Sequence, residues 1–117
     1  MAHFAKIENS VVTEIVVINN NVVGTEFPTS EPIGQQFLTS HGYDGVWVQT
    51  SFNNNFRKQY GLVGSTYNEE NDIFILAQPF PSWTLDSNFD WQPPSPKPTD
   101  YFSRWDESLL SWIRIDY

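Results

Sequence analysis

Trp47-Val48-Gln49-Thr50-Ser51-Phe52-Asn53-Asn54-Asn55-Phe56-Arg57-Lys58-Gln59-Tyr60 is the stretch on which the rest of the chain turns. It begins as a strand, with Gly45 to Thr50 alternating between apolar and polar residues, and then breaks at three consecutive asparagines. Asparagine tolerates positive φ and bonds its own backbone, so the run makes a poor strand and a good turn. Two readings of Phe52 to Lys58 follow. One is a contact loop in which Phe52, Asn54, Phe56 and Arg57 meet a partner. The other is a connection whose amides satisfy local backbone groups while the phenylalanines tuck inward.

Upstream, residues 2–8 and 11–18 are rich in β-branched and aromatic residues, and the polar Glu8-Asn9-Ser10 between them predicts a β-hairpin. Ile15-Val16-Val17-Ile18 is apolar on both faces, which places this strand centrally with cover on each side. Asn19-Asn20-Asn21 reads as a turn into a short third strand at Val22-Val23, closed by Gly24. Ser30-Glu31-Pro32 is a helix start with serine as the N-cap and an acid in the first turn. Ile33, Phe37, Leu38 and His41 share one face of a helix over 31–41, and Gly42 stands where a left-handed terminator belongs. Gly34 weakens that helix by about 1 kcal/mol relative to alanine, so it should depend on packing against the sheet.

Downstream the chain repeats itself loosely. Tyr67-Asn68-Glu69-Glu70-Asn71-Asp72-Ile73-Phe74-Ile75 lies over Trp105-Asp106-Glu107-Ser108-Leu109-Leu110-Ser111-Trp112-Ile113, with a shorter middle copy from Trp83 to Trp91. Each copy reads as two short strands around an acidic turn, aromatics facing across the pair. Prolines separate the copies, and Gln92-Pro93-Pro94-Ser95-Pro96-Lys97-Pro98 should be an extended, stiff spacer that holds the last hairpin out. The expected class is α+β: a small, mostly antiparallel sheet with one helix, then extended aromatic β-hairpins. The expected division is an α/β body over 1–64 and hairpin arms with Pro-rich spacers over 65–117, together one structural domain with an extension.

Nine phenylalanines, five tyrosines and five tryptophans supply much of the apolar material of the 117 residues. A net charge of -8, with only six scattered cations, argues against holding nucleic acid through phosphates. The absence of cysteine removes disulfides, thiolate metal sites and thiol nucleophiles. The longest apolar run, Ile73 to Ala77, is far short of a membrane span, so a cytoplasmically made protein outside any membrane is expected. His3 and His41 stand apart, and no nucleophile elbow, phosphate loop or zinc-protease pattern is present. The carboxylates at 69–72, 86–90 and 106–107 fall in turns, where acids serve the backbone. The expectation is therefore a non-enzyme without cofactor, metal site or catalytic residues. Tryptophans, tyrosines and asparagines fit either a protein interface or a carbohydrate-binding face.

At Met1 to Ile7, at Trp47 to Lys58, and at Pro79-Phe80-Pro81-Ser82-Trp83 through Trp91 and Pro93-Pro94, the chain resembles small proteins encoded by marine tailed bacteriophages, cyanophages especially. The likeness spans nearly the full length; the helix region 30–41 and the last two residues are outside it. It implies an accessory virion component that binds other virion proteins, capsid or tail subunits, with self-association open. Head decoration or cement is the first placement. A tail or tail-fibre component, or a carbohydrate-binding module for host attachment, are the alternatives. The expected partner-binding residues are Trp83, Trp91, Trp105 and Trp112 as anchors, with Phe52, Asn54, Phe56 and Arg57 forming a second contact.

Overall fold

A computed structural model describes residues 1–116 and shows an α+β fold made of two compact units, 1–77 and 78 onward. Tyr117, the end of the expected second part, lies outside the described residues. The first unit contains β1 (Ala2–Glu8), β2 (Val11–Ile18), α1 (Asn20–Val23), α2 (Ser30–Ser40), β3 (Val46–Thr50), β4 (Thr66–Asn68) and β5 (Ile73–Ile75). Its strands form one antiparallel sheet in the order β3-β1-β2-β4-β5.

The expected first hairpin is present. Asn9 and Ser10 both take positive φ, at 52° and 67°, the twist that a two-residue hairpin loop requires. Alternation along β1 then feeds two clusters. Ala2 and Phe4 join Ile18, Val23, Leu38 and Trp47 on one face, while Ala5 joins Val12, Val48 and Phe74 on the other. Both faces are covered because the β4–β5 hairpin meets β2 only at Val11↔Thr66 and brings Phe74 and Tyr67 against the second cluster.

Cover of β2 is nevertheless incomplete, contrary to the sequence reading. Ile15, Val16 and Ile18 pack against one cluster or the other, but Val17 is exposed, since the hairpin that covers the second face touches β2 at its opposite end. The short strand expected at Val22-Val23 is instead one turn of helix. Asn19 Oδ1 accepts the Asn21 N–H at 2.8 Å, capping it, and Gly24 ends it at φ 82°.

Helix α2 starts one residue earlier than expected, and its N-cap is Thr29, without a side-chain cap bond. Ser30 lies inside the helix, buried, and donates through Oγ to Gln49 Oε1 at 2.7 Å. The buried face runs through Ser30, Gly34 and Leu38, leaving Ile33 exposed. Gly34 explains the rotation: a Cβ there would stand 2.0 Å from Phe4 Cζ, so the Phe4 ring occupies the space a side chain would fill. His41 ends the helix with its ring stacked on Phe37 at 4.1 Å.

The division of the chain falls after Ala77, not after residue 64, because the first repeat copy is built into the body sheet as β4 and β5. The second unit holds the other two copies as hairpins: β6 (Thr84–Leu85) with β7 (Trp91–Gln92), and β8 (Ser103–Asp106) with β9 (Ser111–Arg114). The repeat is geometrical. Tyr67 faces Phe74 across one pair and Trp105 faces Trp112 across another. In each, an Asx side chain caps the turn, Asn68 Oδ1 taking Asn71 N–H and Asp106 Oδ1 taking Leu109 N–H, both at 2.9 Å. The last loop residue is left-handed in both, Asp72 at φ 55° and Leu110 at φ 50°.

Candidate functional site

The residues after β3 form a closely bonded loop rather than a free one. Asn55 N–H donates to Ser51 Oγ, Tyr60 N–H to Asn54 Oδ1, and Gly61 N–H to Thr50 Oγ1. Asn54 and Arg57 take positive φ, at 60° and 54°. The Arg57 carbonyl accepts Phe74 N–H at 3.1 Å, which ties the loop to β5. Asn54 thus serves its own loop through Oδ1, as the second reading of this stretch expected.

Arg57 was expected to meet a partner; its side chain is instead engaged within the chain. It forms a two-pronged pair with Glu31 of α2, donates through Nη1 to the Gln49 carbonyl at 2.9 Å, and through Nε to Asp72 at 2.7 Å. The guanidinium also stands 5.0 Å from the Phe27 ring centre and 5.9 Å from that of Tyr67. Only 10% of its side chain is exposed, and 17% of that of Glu31. Burial alone would lower the Arg57 pKa, but the hydrogen bonds and charges of Glu31 and Asp72 outweigh it, and the group is held more firmly charged than usual. Asp72 is opposed by its burial yet ends below the usual carboxylate range, through the Tyr67 hydroxyl and Arg57. Burial, then the bond to Asp72, pushes the Tyr67 phenol up to about 12.

Phe56 is also turned inward, stacked on Phe27 with centroids 3.7 Å apart and planes 6° from parallel. Phe52 faces outward, 63% exposed, and Asn54 of the same expected contact set is exposed as well. Phe52 is nonetheless held in place, stacked on His3 at 5.4 Å and edge-on to Tyr60 at 5.3 Å. Burial, then the neighbouring amino-terminal charge, pushes the His3 pKa down. Between this loop, the segment after α1 and the start of β1 lies a polar cleft of about 360 Å³, with Phe27, Phe52 and Phe56 among its walls and Asn20, Gln49, Asn53 and Asn55 supplying amides.

In the second unit Trp83, Trp105 and Trp112 converge on one another rather than outward. Centroids are 5.9 Å apart for Trp83 and Trp105, 6.1 Å for Trp83 and Trp112, and 5.3 Å for Trp105 and Trp112, all edge to face. Phe80 completes the cluster at 5.6 Å from Trp83. Glu107 buttresses it, accepting Trp105 Nε1–H and the Ser82 hydroxyl, and these bonds lower its pKa. Three of the four expected anchors therefore form the core of a small unit. Trp91, the fourth, stands opposite Leu85 in the shorter hairpin. The proline-rich segment packs on the last hairpin instead of spacing it: the Ser95 carbonyl accepts Trp112 Nε1–H at 2.9 Å, and Lys97 Nζ stands 5.6 Å from the same ring.

The second unit turns Phe102, 72% exposed, and its last loop outward. Leu109 is 66% exposed and Leu110 51%, side by side at the β8–β9 turn, a feature the acidic reading of that turn passed over. Among the described residues no helix is long and apolar enough to cross a membrane, and no three His, Asp or Glu side chains converge as metal ligands. No known protein family matches the chain, and no curated protein or solved structure is significantly similar to it.

Proposed function

We propose that this chain is a non-enzymatic phage virion protein that binds neighbouring virion subunits, on the head exterior as decoration or cement, with the tail or its fibres as the alternative location. The phage resemblance read in the sequence supports the setting. The observation that carries the binding role is the pair Leu109-Leu110, set against its sister turn.

The two turns share strand register, Asx cap and left-handed last residue, yet one carries Asn71-Asp72 and the other Leu109-Leu110. Asparagine and aspartate suit the left-handed position; leucine there costs on the order of 1–2 kcal/mol. Two adjacent exposed leucines add nothing to the unit's own core and are not needed to make the turn. They suit insertion into an apolar socket, where each would gain roughly 1.5–3 kcal/mol on burial. The socket belongs to a protein rather than a lipid surface: the second unit carries Asp86, Asp90, Asp100, Asp106, Glu107 and Asp116 against Lys97, Arg104 and Arg114, a balance that anionic membranes repel.

Co-sedimentation with particles of the phage tests the reading. The double variant Leu109→Asn, Leu110→Asn relieves the turn, so its folding stability should equal or exceed that of the parent while particle binding falls at least tenfold. Undiminished binding by a folded variant would reject the leucine pair as the contact.

A further inference from the structure

The polar cleft of the first unit takes no part in the leucine-turn contact and lies outside the virion-contact reading. No carboxylate, lysine or arginine side chain lines it, in a chain 17% charged, and the charge at its edge is the amino-terminal ammonium of Met1, which also acts on His3. A bound cation would find no opposite charge there to offset its desolvation, and a bound anion would find a single terminal ammonium with no lysine or arginine beside it. A wholly apolar ligand would bury the side-chain amides of Asn20, Asn53 and Asn55 without replacing their water. The class that suits both features is an uncharged molecule with hydroxyls around its rim and an apolar face.

Saccharides have that build. Primary amides donate and accept at once, as sugar hydroxyls do, and the C–H face of a pyranose lies well on an aromatic ring. Phe52 offers such a ring, exposed to solvent but fixed between His3 and Tyr60, so little freedom remains to be lost on binding. Phe27 and Phe56, stacked on each other, add apolar lining. At about 360 Å³ the space sits at the lower end of the roughly 300–1,000 Å³ of small-ligand pockets, room for one or two sugar residues. We infer that this cleft binds a neutral mono- or disaccharide, with Phe52 as the stacking platform and Asn53 and Asn55 as the hydroxyl-reading groups.

Side-chain amide signals of the isotope-labelled full chain, followed by NMR, test this directly. Glucose, galactose, mannose, rhamnose, N-acetylglucosamine, lactose and maltose would be titrated to about 50 mM, a range that covers millimolar dissociation constants. At least one should give saturable shifts at Asn53 and Asn55 and at the Phe52 ring, and inorganic phosphate should give none there. Phe52→Leu keeps an apolar side chain but removes the ring face, and Asn55→Ala leaves the backbone bond to Ser51 intact; each should weaken the responding sugar roughly tenfold or more. The proposal is overturned if no sugar shifts these signals, if the shifts map elsewhere, if phosphate produces them equally, or if the folded variants bind as the parent does.

Discussion

Replacing Arg57 by methionine removes a charge that the first unit is built around, and the cost can be worked from its partners. Glu31 and Arg57 are both mostly buried, and taking one member from such a pair leaves the other charge uncompensated, at a cost of about 3–5 kcal/mol. Asp72, more than half exposed, adds only about 0.2–1 kcal/mol. The Gln49 carbonyl loses a charged donor, though methionine keeps some contact with Phe27. These terms share one side chain and do not add. The expected total of about 3–5 kcal/mol is a large share of the 5–15 kcal/mol that holds a typical domain. Urea unfolding of the first unit, followed by circular dichroism, measures it. Removing both charges, as Arg57→Met with Glu31→Gln, should cost less than the sum of the singles by about 1 kcal/mol or more. A loss below about 1 kcal/mol for Arg57→Met would refute the account, because a pair buried to this extent cannot be broken so cheaply.

Other consequences are equally open to measurement. Gly34→Ala gains about 1 kcal/mol of helix propensity, yet its Cβ would meet Phe4 Cζ at 2.0 Å, so the net should be a destabilisation of about 1–3 kcal/mol by thermal unfolding. The Tyr67 phenol titrates near 10.0 when unfolded and near 12 when folded, so the folded state holds its proton more tightly. Its contribution is complete below pH 10.0 and is lost as pH rises toward 12, a decline that Tyr67→Phe should flatten in pH-dependent denaturation. Trp105→Ala opens a cavity among three rings, those of Phe80, Trp83 and Trp112, and should cost the second unit about 3–5 kcal/mol, with loss of the near-ultraviolet dichroism of the coupled indoles.

Local features of the fold were legible in the sequence; features that depend on distant partners were not. Glu8-Asn9-Ser10 between two β-branched runs specifies its hairpin wherever the rest of the chain goes. The repeat was legible because Tyr67 to Phe74 and Trp105 to Trp112 have the same spacing around an Asx-capped turn, and both pairs face each other. That the first copy joins the body sheet depends on Val11 meeting Thr66, which no local pattern announces. Val22-Val23 has strand composition, but a capped single turn is too short to show a helical period.

The binding residues divide along the same line. Composition identified the tryptophans, but whether indoles face each other or a partner is decided by how two hairpins and a proline segment fold together. Arg57 reads as an exposed loop cation because Glu31 and Asp72, its partners, stand 26 and 15 positions away in the chain. Phe52 kept its outward position. Leu109-Leu110 could have been found by asking which residues of the third copy differ in polarity from the first.

The proposed function requires that the chain dock on virion subunits through its leucine turn. Gold-labelled protein incubated with separated heads and tails of the phage, and viewed by electron microscopy beside the Leu109→Asn, Leu110→Asn variant, tests it most directly. The account predicts a regular array on heads that the variant fails to form. Label confined to tails would move the protein to the fibre, and label on neither part, or equal decoration by the variant, would contradict the claim.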